Sequence, residues 1–586
     1  MDAKPNLPSA ADEIEINRQA PTNSKGGLIT MPFIIANEAL EKVATYGSQL
    51  NMVLYLTNEY KMNYVRASNL ILFWSAATSL SPLLGAFVAD SYLGRFLTIA
   101  ISSILSILGI VLLWLTAMIP GARPPPCDQY KQRCEGAGSG QYTLLLLAFF
   151  LTAIGAGGIR ACSMAFGADQ ILKKDSRDNA RLLESFFSWY YASYAVSILV
   201  AFTGIVYIQS NIGWKVGFGV PAILMLFAAV LFVVTSPLYV RRNASKSLFV
   251  GLVQVAVVAY KNRELEYPRD GDAGYRYLPG SSNASPSKKL RFLNKACIVK
   301  NPRDVTSAGD SANSWNLCST DQVENLKALI TALPIWSTGV MVAISTTQNA
   351  FPVLQANSMD RHLTRGFQIP AASFVMFVVL MVTLWVVLYD RVIIPLASKI
   401  AGKKVRLGVR LRMGIGIFLC SLSMAVSGLV EHVRRKKAVE QGLANNPVGI
   451  VNMSAMWLIL QYCLTGLAEA FFAIGQNEFF YTEFPKSMSS IASCLNGVGM
   501  GVGNLAASVV LNTVDRATSS GGKESWVSNN INKGRFDYYY WLMAAMAFGN
   551  LFYYIFCSWS YGRCADADAV EDTKRTTHVR EEEEEA

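Results

Sequence analysis

The sequence predicts an all-α membrane protein in which twelve transmembrane helices form two bundles of six. Three observations carry this. The 586 residues are 52% hydrophobic and only 16% charged, whereas a soluble chain carries about 25% charged residues. The apolar residues come in long runs, among them 143–154, 216–234, 372–388 and 541–556. About 20 such residues match a ~30 Å hydrocarbon layer at ~1.5 Å of helix rise per residue. Finally, one long polar interruption, from Arg241 to Asn325, divides six runs from six.

The elements follow in order. Residues 1–27 are polar, lack the basic start, apolar core and cleavage site of a signal peptide, and are expected to be disordered. The first bundle, 28–240, holds spans expected at Ile35–Tyr55, Leu70–Ala89, Thr98–Ala117, Tyr142–Arg160, Phe186–Ile205 and Val220–Tyr239. The first of these scores lowest in hydropathy because it contains charges. Cys127 and Cys134 share the loop before the fourth span, which leaves a disulfide or two free thiols open. Residues 241–324 form a linker. Within it Leu248–Tyr260 is apolar, too short to span and followed by Lys261 and Arg263, so it reads as a helix lying at the membrane surface. The Gly-, Ser-, Pro- and Asp-rich stretch from about Asp270 to Ser287 reads as open chain. The second bundle, 325–561, holds Leu326–Ser345, Pro370–Leu388, Met413–Leu429, Ala455–Ile474, Ile491–Leu511 and Tyr539–Ser558. The tail, 562–586, ends in the like-charge run Glu581–Glu585 and is expected to be disordered.

Loop charges orient the chain, because Lys and Arg concentrate on the cytoplasmic side. The linker, Lys173/Lys174/Arg177 after span four and Arg391/Lys399/Lys403/Lys404 after span eight all fall on one side, which places both termini in the cytoplasm. Arg434 to Lys437, after span nine, fall on the other; a helix extending beyond the membrane would tolerate them. The net charge of +11 is thus a topology signal, and no basic, aromatic-interleaved soluble domain is present to bind nucleic acid. The sequon Asn452-Met-Ser454 lies on the outer side; those at Asn243 and Asn283 lie on the inner side.

Charged residues inside apolar spans point to chemistry. Glu38, Glu41 and Lys42 lie at i, i+3 and i+4 on one helical face, which Thr45 and Gln49 continue. A charge at that depth costs at least ~2.5–3.5 kcal/mol, so it faces water or a partner and usually belongs to an ion or proton pathway. Arg160 ends span four and Glu478 ends span ten; they belong to different bundles and could pair across the cavity as it closes. For Glu469, interhelical packing is the expectation. The Gly497-Val-Gly-Met-Gly501-Val-Gly503 run sits within a span with no preceding strand, so it reads as close helix packing rather than a phosphate loop. His362, His432 and His578 fall in loops or the tail, and no HExxH, Walker loop, nucleophile elbow or metal-like cysteine pair occurs. No enzyme, cofactor or metal is therefore expected.

These segments resemble the proton-coupled oligopeptide transporters. Glu38-x-x-Glu41-Lys42 is similar to that family's first-helix motif. Gly85 to Ser103, with Asp90-Ser-Tyr-Leu-Gly94-Arg95-Phe-Leu-Thr98, looks like its first signature. Gly157-Gly-Ile-Arg160 followed by Phe166-Gly-Ala-Asp169-Gln170, then Leu333-Pro-Ile-Trp336 and Gly475-Gln-x-Glu478-Phe-Phe, match its fourth, seventh and tenth helices. Gly26-Gly-Leu28, Thr30 to Glu38 and the long linker resemble the plant nitrate/peptide transporter family, nearest the branch with vascular nitrate carriers.

The resemblance implies a major facilitator fold at the plasma membrane, with proton symport through a central cavity. It implies proton coupling by Glu38, Glu41 and Lys42, and a gating and substrate-side pair of Arg160 and Glu478. Thr346, where nitrate carriers of the family place a histidine, is a further candidate for substrate contact, with Gln348, Thr45 and Tyr46. Peptide carriers tend to have two tyrosines after the first-helix motif where this chain has Thr45 and Tyr46, and the fifth-helix N-x-G block is replaced by Ala195-Val-Ser197. Thr98 aligns with a regulatory phosphorylation position, which would bring a kinase as partner; as a helix-start hydroxyl it caps and packs. The expected cargo is a small anion, nitrate first and a carboxylated hormone such as gibberellin second. A nutrient receptor with little transport is the alternative of another class.

Overall fold

The computed structural model describes residues 26–125, 136–171, 179–241, 248–268, 274–277, 286–300, 313–348, 350–402, 407–485 and 488–584. In the first half α1 (Met31–Leu50) turns at Asn51 into α2 (Met52–Asn58). They are followed by α3 (Tyr64–Val88), α4 (Arg95–Met118), α5 (Ser139–Ile171), α6 (Asn179–Val200), α7 (Val206–Asn211) and α8 (Trp214–Val234). After α9 (Leu248–Lys261), the second half holds α10 (Thr320–Thr346), α11 (Ala350–Asn357), α12 (Met376–Leu388), α13 (Ile394–Ala401), α14 (Val409–Glu440), α15 (Leu458–Glu483), α16 (Ser489–Thr518) and α17 (Phe536–Glu584). Among the described residues eleven helical stretches are long and apolar enough to cross a membrane. The first span, α1 with α2, is the one that composition alone does not select, and its buried charges are the reason. Below, the face where α1 begins is called basal and the opposite face distal.

Several expectations change. The all-α fold stands, with two short strand pairs in the distal loops, β1 (Met359–Asp360) with β4 (Val451–Ser454) and β2 (His362–Thr364) with β3 (Phe367–Gln368). α9 does not simply lie on lipid. It buries Val255, Val258 and Ala259 against Leu293, Ala296, Cys297 and Cys318 of the same central segment, while Val253 and Tyr260 stay exposed. Burial pushes the Cys297 thiol up to about 12 and that of Cys318 to about 11, so both are poor nucleophiles. The stretch expected to be open chain carries order at its described residues: Arg276 N donates to Cys297 O at 2.9 Å. The acidic tail continues α17 through Glu584 rather than losing structure; no glycine or proline interrupts 563–584. Cys127, Cys134, Asn243 and Asn283 lie outside the described residues.

α14 explains the misplaced loop charges. It runs eleven residues past the expected end at Leu429, so Arg434 to Lys437, and His432 with them, lie on helix rather than loop. Arg434 is fully buried, and its Nε and Nη2 each donate to Glu431 at 2.8 Å. That pairing neutralises one of the four charges within the protein.

The two halves repeat each other. α3 ends in a widened turn over Ala89–Leu93 that carries Asp90, and α12 ends in one over Tyr389–Ile393 that carries Asp390. Arg95 on α4 pairs with Asp169 on α5, and Arg412 on α14 pairs with Glu478 on α15. Corresponding features in two six-helix units are what an internally repeated transporter fold displays. Within a half, small residues allow close approach. A Cβ at Gly155 would stand 2.5 Å from Ser106 N, and one at Gly109 2.5 Å from Thr152 N.

Among the described residues, two apolar clusters draw on both halves, and both lie toward the distal face. One joins Val53, Ile198, Phe202 and Val206 to Val353, Ala356 and Met359. The other joins Tyr64 and Leu72 to Phe351, Leu511 and Phe536. The clusters nearest the basal face each stay within one half. The conformation is therefore sealed distally by apolar packing, together with hydrogen bonds from Tyr64 N to Asn529 and between Asn69 and Asn512 and Ser508. Because the α4–α5 contact is backbone to backbone, Gly155→Val should lower thermal stability by about 1–3 kcal/mol or more. Gly549→Ala, where a Cβ meets nothing within 4 Å, should leave it unchanged or slightly raised. Melting of the detergent-solubilised variants checks both.

Candidate functional site

The charged face of α1 points into the first half. Glu38, Glu41 and Lys42 are at most 4% exposed. Lys42 Nζ sits 2.6 Å from Glu38 Oε1 and 4.7 Å from the centre of the Tyr194 ring on α6. Glu41 is held from α5: Arg160 Nη2 donates to Oε1 at 3.2 Å and Nε to Oε2 at 3.3 Å. Thr45 Oγ1 donates to Glu41 Oε1 at 2.7 Å, one turn along α1. Arg160 also stacks over the Tyr46 ring at 5.0 Å. The i, i+3, i+4 spacing thus brings together two ion pairs, Glu38–Lys42 and Glu41–Arg160, with Thr45 and Tyr46 as supports.

Tyr46 opens onto a cavity of about 250 Å³ between the halves. From the second half Thr346, Gln348, Gln461, Thr465 and Glu469 line it, and Phe202, Val375, Val378 and Met424 supply apolar wall. A smaller space of about 160 Å³ shares Tyr46, Phe202, Gln348 and Val375 and adds Gln49 and Ser75. Gln348 Nε2 is buried with no hydrogen-bond partner among the described atoms, which leaves a donor for a bound group. Thr346 Oγ1 donates back to Val342 O at 3.3 Å, so its lone pairs remain available. Arg160 does not line this space; it stands behind Tyr46.

The other charged candidates take these places. In this conformation Arg160 and Glu478 are apart: Arg160 is bound to Glu41, and Glu478 is bound to Arg412 within the second half, near the basal end of α15. The carboxylate that faces the cavity from α15 is Glu469, two and a half turns toward the distal side. It reaches the cavity wall, with no basic residue beside it among the described residues. Its signal in the sequence is the one that marks Glu41, a carboxylate inside the apolar run 464–474, whereas Glu478 stands at the end of its span. Thr98 is 4% exposed, and its hydroxyl donates to Gly94 O at 2.9 Å. It packs in the first turn of α4 but donates rather than accepting an amide proton as a cap would. Among the described residues no group of histidine, cysteine and carboxylate side chains could hold a metal.

Residues 96–527 match the POT family. Among curated proteins the chain is 56% identical to the NRT1/PTR FAMILY 1.2 protein of Arabidopsis thaliana, over 99% of this chain and 96% of that one. It is 55% identical to NRT1/PTR FAMILY 1.1 of the same plant, over 99% of both. Among solved structures the fold is similar to the POT family transporter PepTSo, with a TM-score of 0.66 and 19% identity over 91% of this chain and 98% of that one. The major facilitator fold expected from the sequence stands, and the chain belongs to the POT family of transporters, alongside the NRT1/PTR FAMILY proteins.

Proposed function

We propose that this protein is a proton-coupled symporter of a small anion, with nitrate the first-choice cargo, working by alternating access at the plasma membrane with both termini in the cytoplasm. The observation that carries the proposal is the Glu41–Arg160 pair beside Tyr46, which forms the cavity wall. With both charged, the pair is neutral. A proton on Glu41 releases Arg160, and an anion on Arg160 restores neutrality. Empty and doubly loaded states then carry the same net charge, while a state with only the proton or only the anion carries an unpaired charge in a low-dielectric interior. At ~2.5–3.5 kcal/mol or more per unpaired charge, such half-loaded states are disfavoured by roughly 100-fold. Reorientation is therefore restricted to the empty and doubly loaded states, which is coupling.

The other residues take supporting roles. Glu38 and Lys42 hold the cation face of α1 in register with Tyr194. Thr346 and Gln348 offer polar contacts to the anion from the opposite half, and Glu469 repels an anion until the cavity rearranges around it. The apolar wall of Phe202, Val375, Val378 and Met424 favours a second cargo reading, an organic carboxylate such as gibberellin. A receptor that binds but scarcely transports is separated from both by the absence of net flux.

In proteoliposomes with an acidic outer bath, Glu41→Gln should abolish gradient-driven nitrate uptake yet retain nitrate–nitrate exchange. Full driven uptake in the variant contradicts the coupling role. Excess gibberellin that suppresses nitrate uptake by the unmodified protein would favour the organic carboxylate. The buried pair beside it is tested by stability. Lys42→Met strands the Glu38 carboxylate and should cost about 3–5 kcal/mol, and Glu38→Gln combined with it should recover most of that loss in melting experiments. Equal melting of the single and double variants would show that the pair does not hold α1.

A further inference from the structure

A chain of buried polar side chains runs from the cavity wall to the distal seal. It begins at Gln461 on α15, which lines the cavity. Gln461 Nε2 donates to Gln355 Oε1 at 3.5 Å, and Gln355 Nε2 donates to Glu431 Oε2 at 2.8 Å. Glu431 is gripped by both Nε and Nη2 of Arg434. Arg434 Nη1 goes on to Asn532 Oδ1 at 2.8 Å and to Ser358 Oγ at 3.3 Å, and Nη2 to Ile531 O at 3.1 Å. Gln355, Glu431, Arg434 and Asn532 are all 0% exposed.

Gln355 sits on α11, whose Val353 and Ala356 belong to the apolar cluster shared with Val53 and Val206 of the first half. α11 is thus the gate helix of the distal seal, and the chain leaves regular helix at Thr347 and Gln348. Such a break allows two ways of opening: a local bend that lifts α11 away, or rotation of the whole second half with α11 attached. A buried ion pair adds little net stability over apolar packing, but it punishes any shift that strands one charge. Sliding α11 would remove the Gln355 amide from the Glu431 carboxylate, in a place where water cannot replace it.

The geometry points to Gln355 as a positioning residue: clamped by Glu431 and Arg434, it makes the gate helix a rigid part of the second half and joins it, through Gln461, to the wall that meets the cargo. The inference rests on the alternating-access reading above. Under it, the distal seal opens by separation of Val353 and Ala356 from Val53 and Val206 as two whole surfaces, and the contact at Gln461 gives the cavity a direct mechanical link to the gate.

The test uses the full chain in nanodiscs without nitrate, with spin labels carried by non-canonical amino acids at exposed positions. One pair, Asn357 with Lys437, reports α11 against the body of its own half; the other, Asn58 with Lys437, reports one half against the other. The clamp predicts a single narrow Asn357–Lys437 distance at both acidic and neutral pH, and two populations once Gln355→Leu removes both hydrogen bonds. If that variant does not fold, Glu431→Leu with Arg434→Met, which removes both charges together with the acceptor of the Gln355 amide, should split the distance in the same way. More than one Asn357–Lys437 distance in the unmodified protein, or a single narrow distance kept by the folded variant, overturns the inference. An Asn58–Lys437 distance that stays single at both pH values counts against alternating access and leaves the clamp to be decided by the first pair.

Discussion

A charge inside the hydrocarbon layer has to be paired, hydrated or neutralised, and the interior of this protein is arranged around that requirement. Glu38 with Lys42, Glu41 with Arg160 and Glu431 with Arg434 are three buried pairs, each closed by well-directed contacts. Two lie on the charged face of α1 and one lies near the distal seal. Helices α1 and α5 take their mutual rotational setting from Glu41–Arg160, because turning either one strands a charge. Glu469 is the exception, a carboxylate that faces the cavity with no basic neighbour among the described residues.

The rest of the fold repeats between the two halves. The widened turns at Ala89–Leu93 and Tyr389–Ile393 and the basal ion pairs Arg95–Asp169 and Arg412–Glu478 occupy matching places in the two halves. Each half is knit by close backbone contacts at small residues, such as Gly155 against Ser106. Between the halves the apolar contact is concentrated distally, around Val53, Val206, Val353 and Ala356. Apolar packing is non-directional and parts easily, but directional contacts cross the same interface: Tyr64 N donates to Asn529 Oδ1 at 2.7 Å, and Asn69 meets Asn512 and Ser508 at 2.8 and 2.6 Å.

Much of this is legible in the sequence, for physical reasons. Apolar run length marks eleven helices directly, and in α1 the charges that weaken the hydropathy signal are themselves the functional signal. Local spacing predicts Glu38–Lys42 correctly, because partners four apart on a helix are neighbours whatever the tertiary fold. Pairing over long sequence distance is different. Arg160 could be placed on its span, but nothing local says whether it meets Glu41 or Glu478. Glu478 stands at a helix end, where a carboxylate has other partners, and Arg412 supplies one. The central segment misleads for a related reason: the pattern of α9 shows an apolar face without showing what covers it, and Leu293, Cys297 and Cys318 do.

The central claim is that Glu41 and an anion compete for Arg160, so that a proton must arrive with the anion. Calorimetric titration of the purified protein with nitrate, repeated in buffers of different ionisation enthalpy, measures this most directly. The account predicts tighter binding at mildly acidic than at neutral pH, with one proton taken up for each nitrate bound and that uptake lost in Glu41→Gln. Nitrate binding of equal strength at both pH values, with no proton taken up, would contradict it.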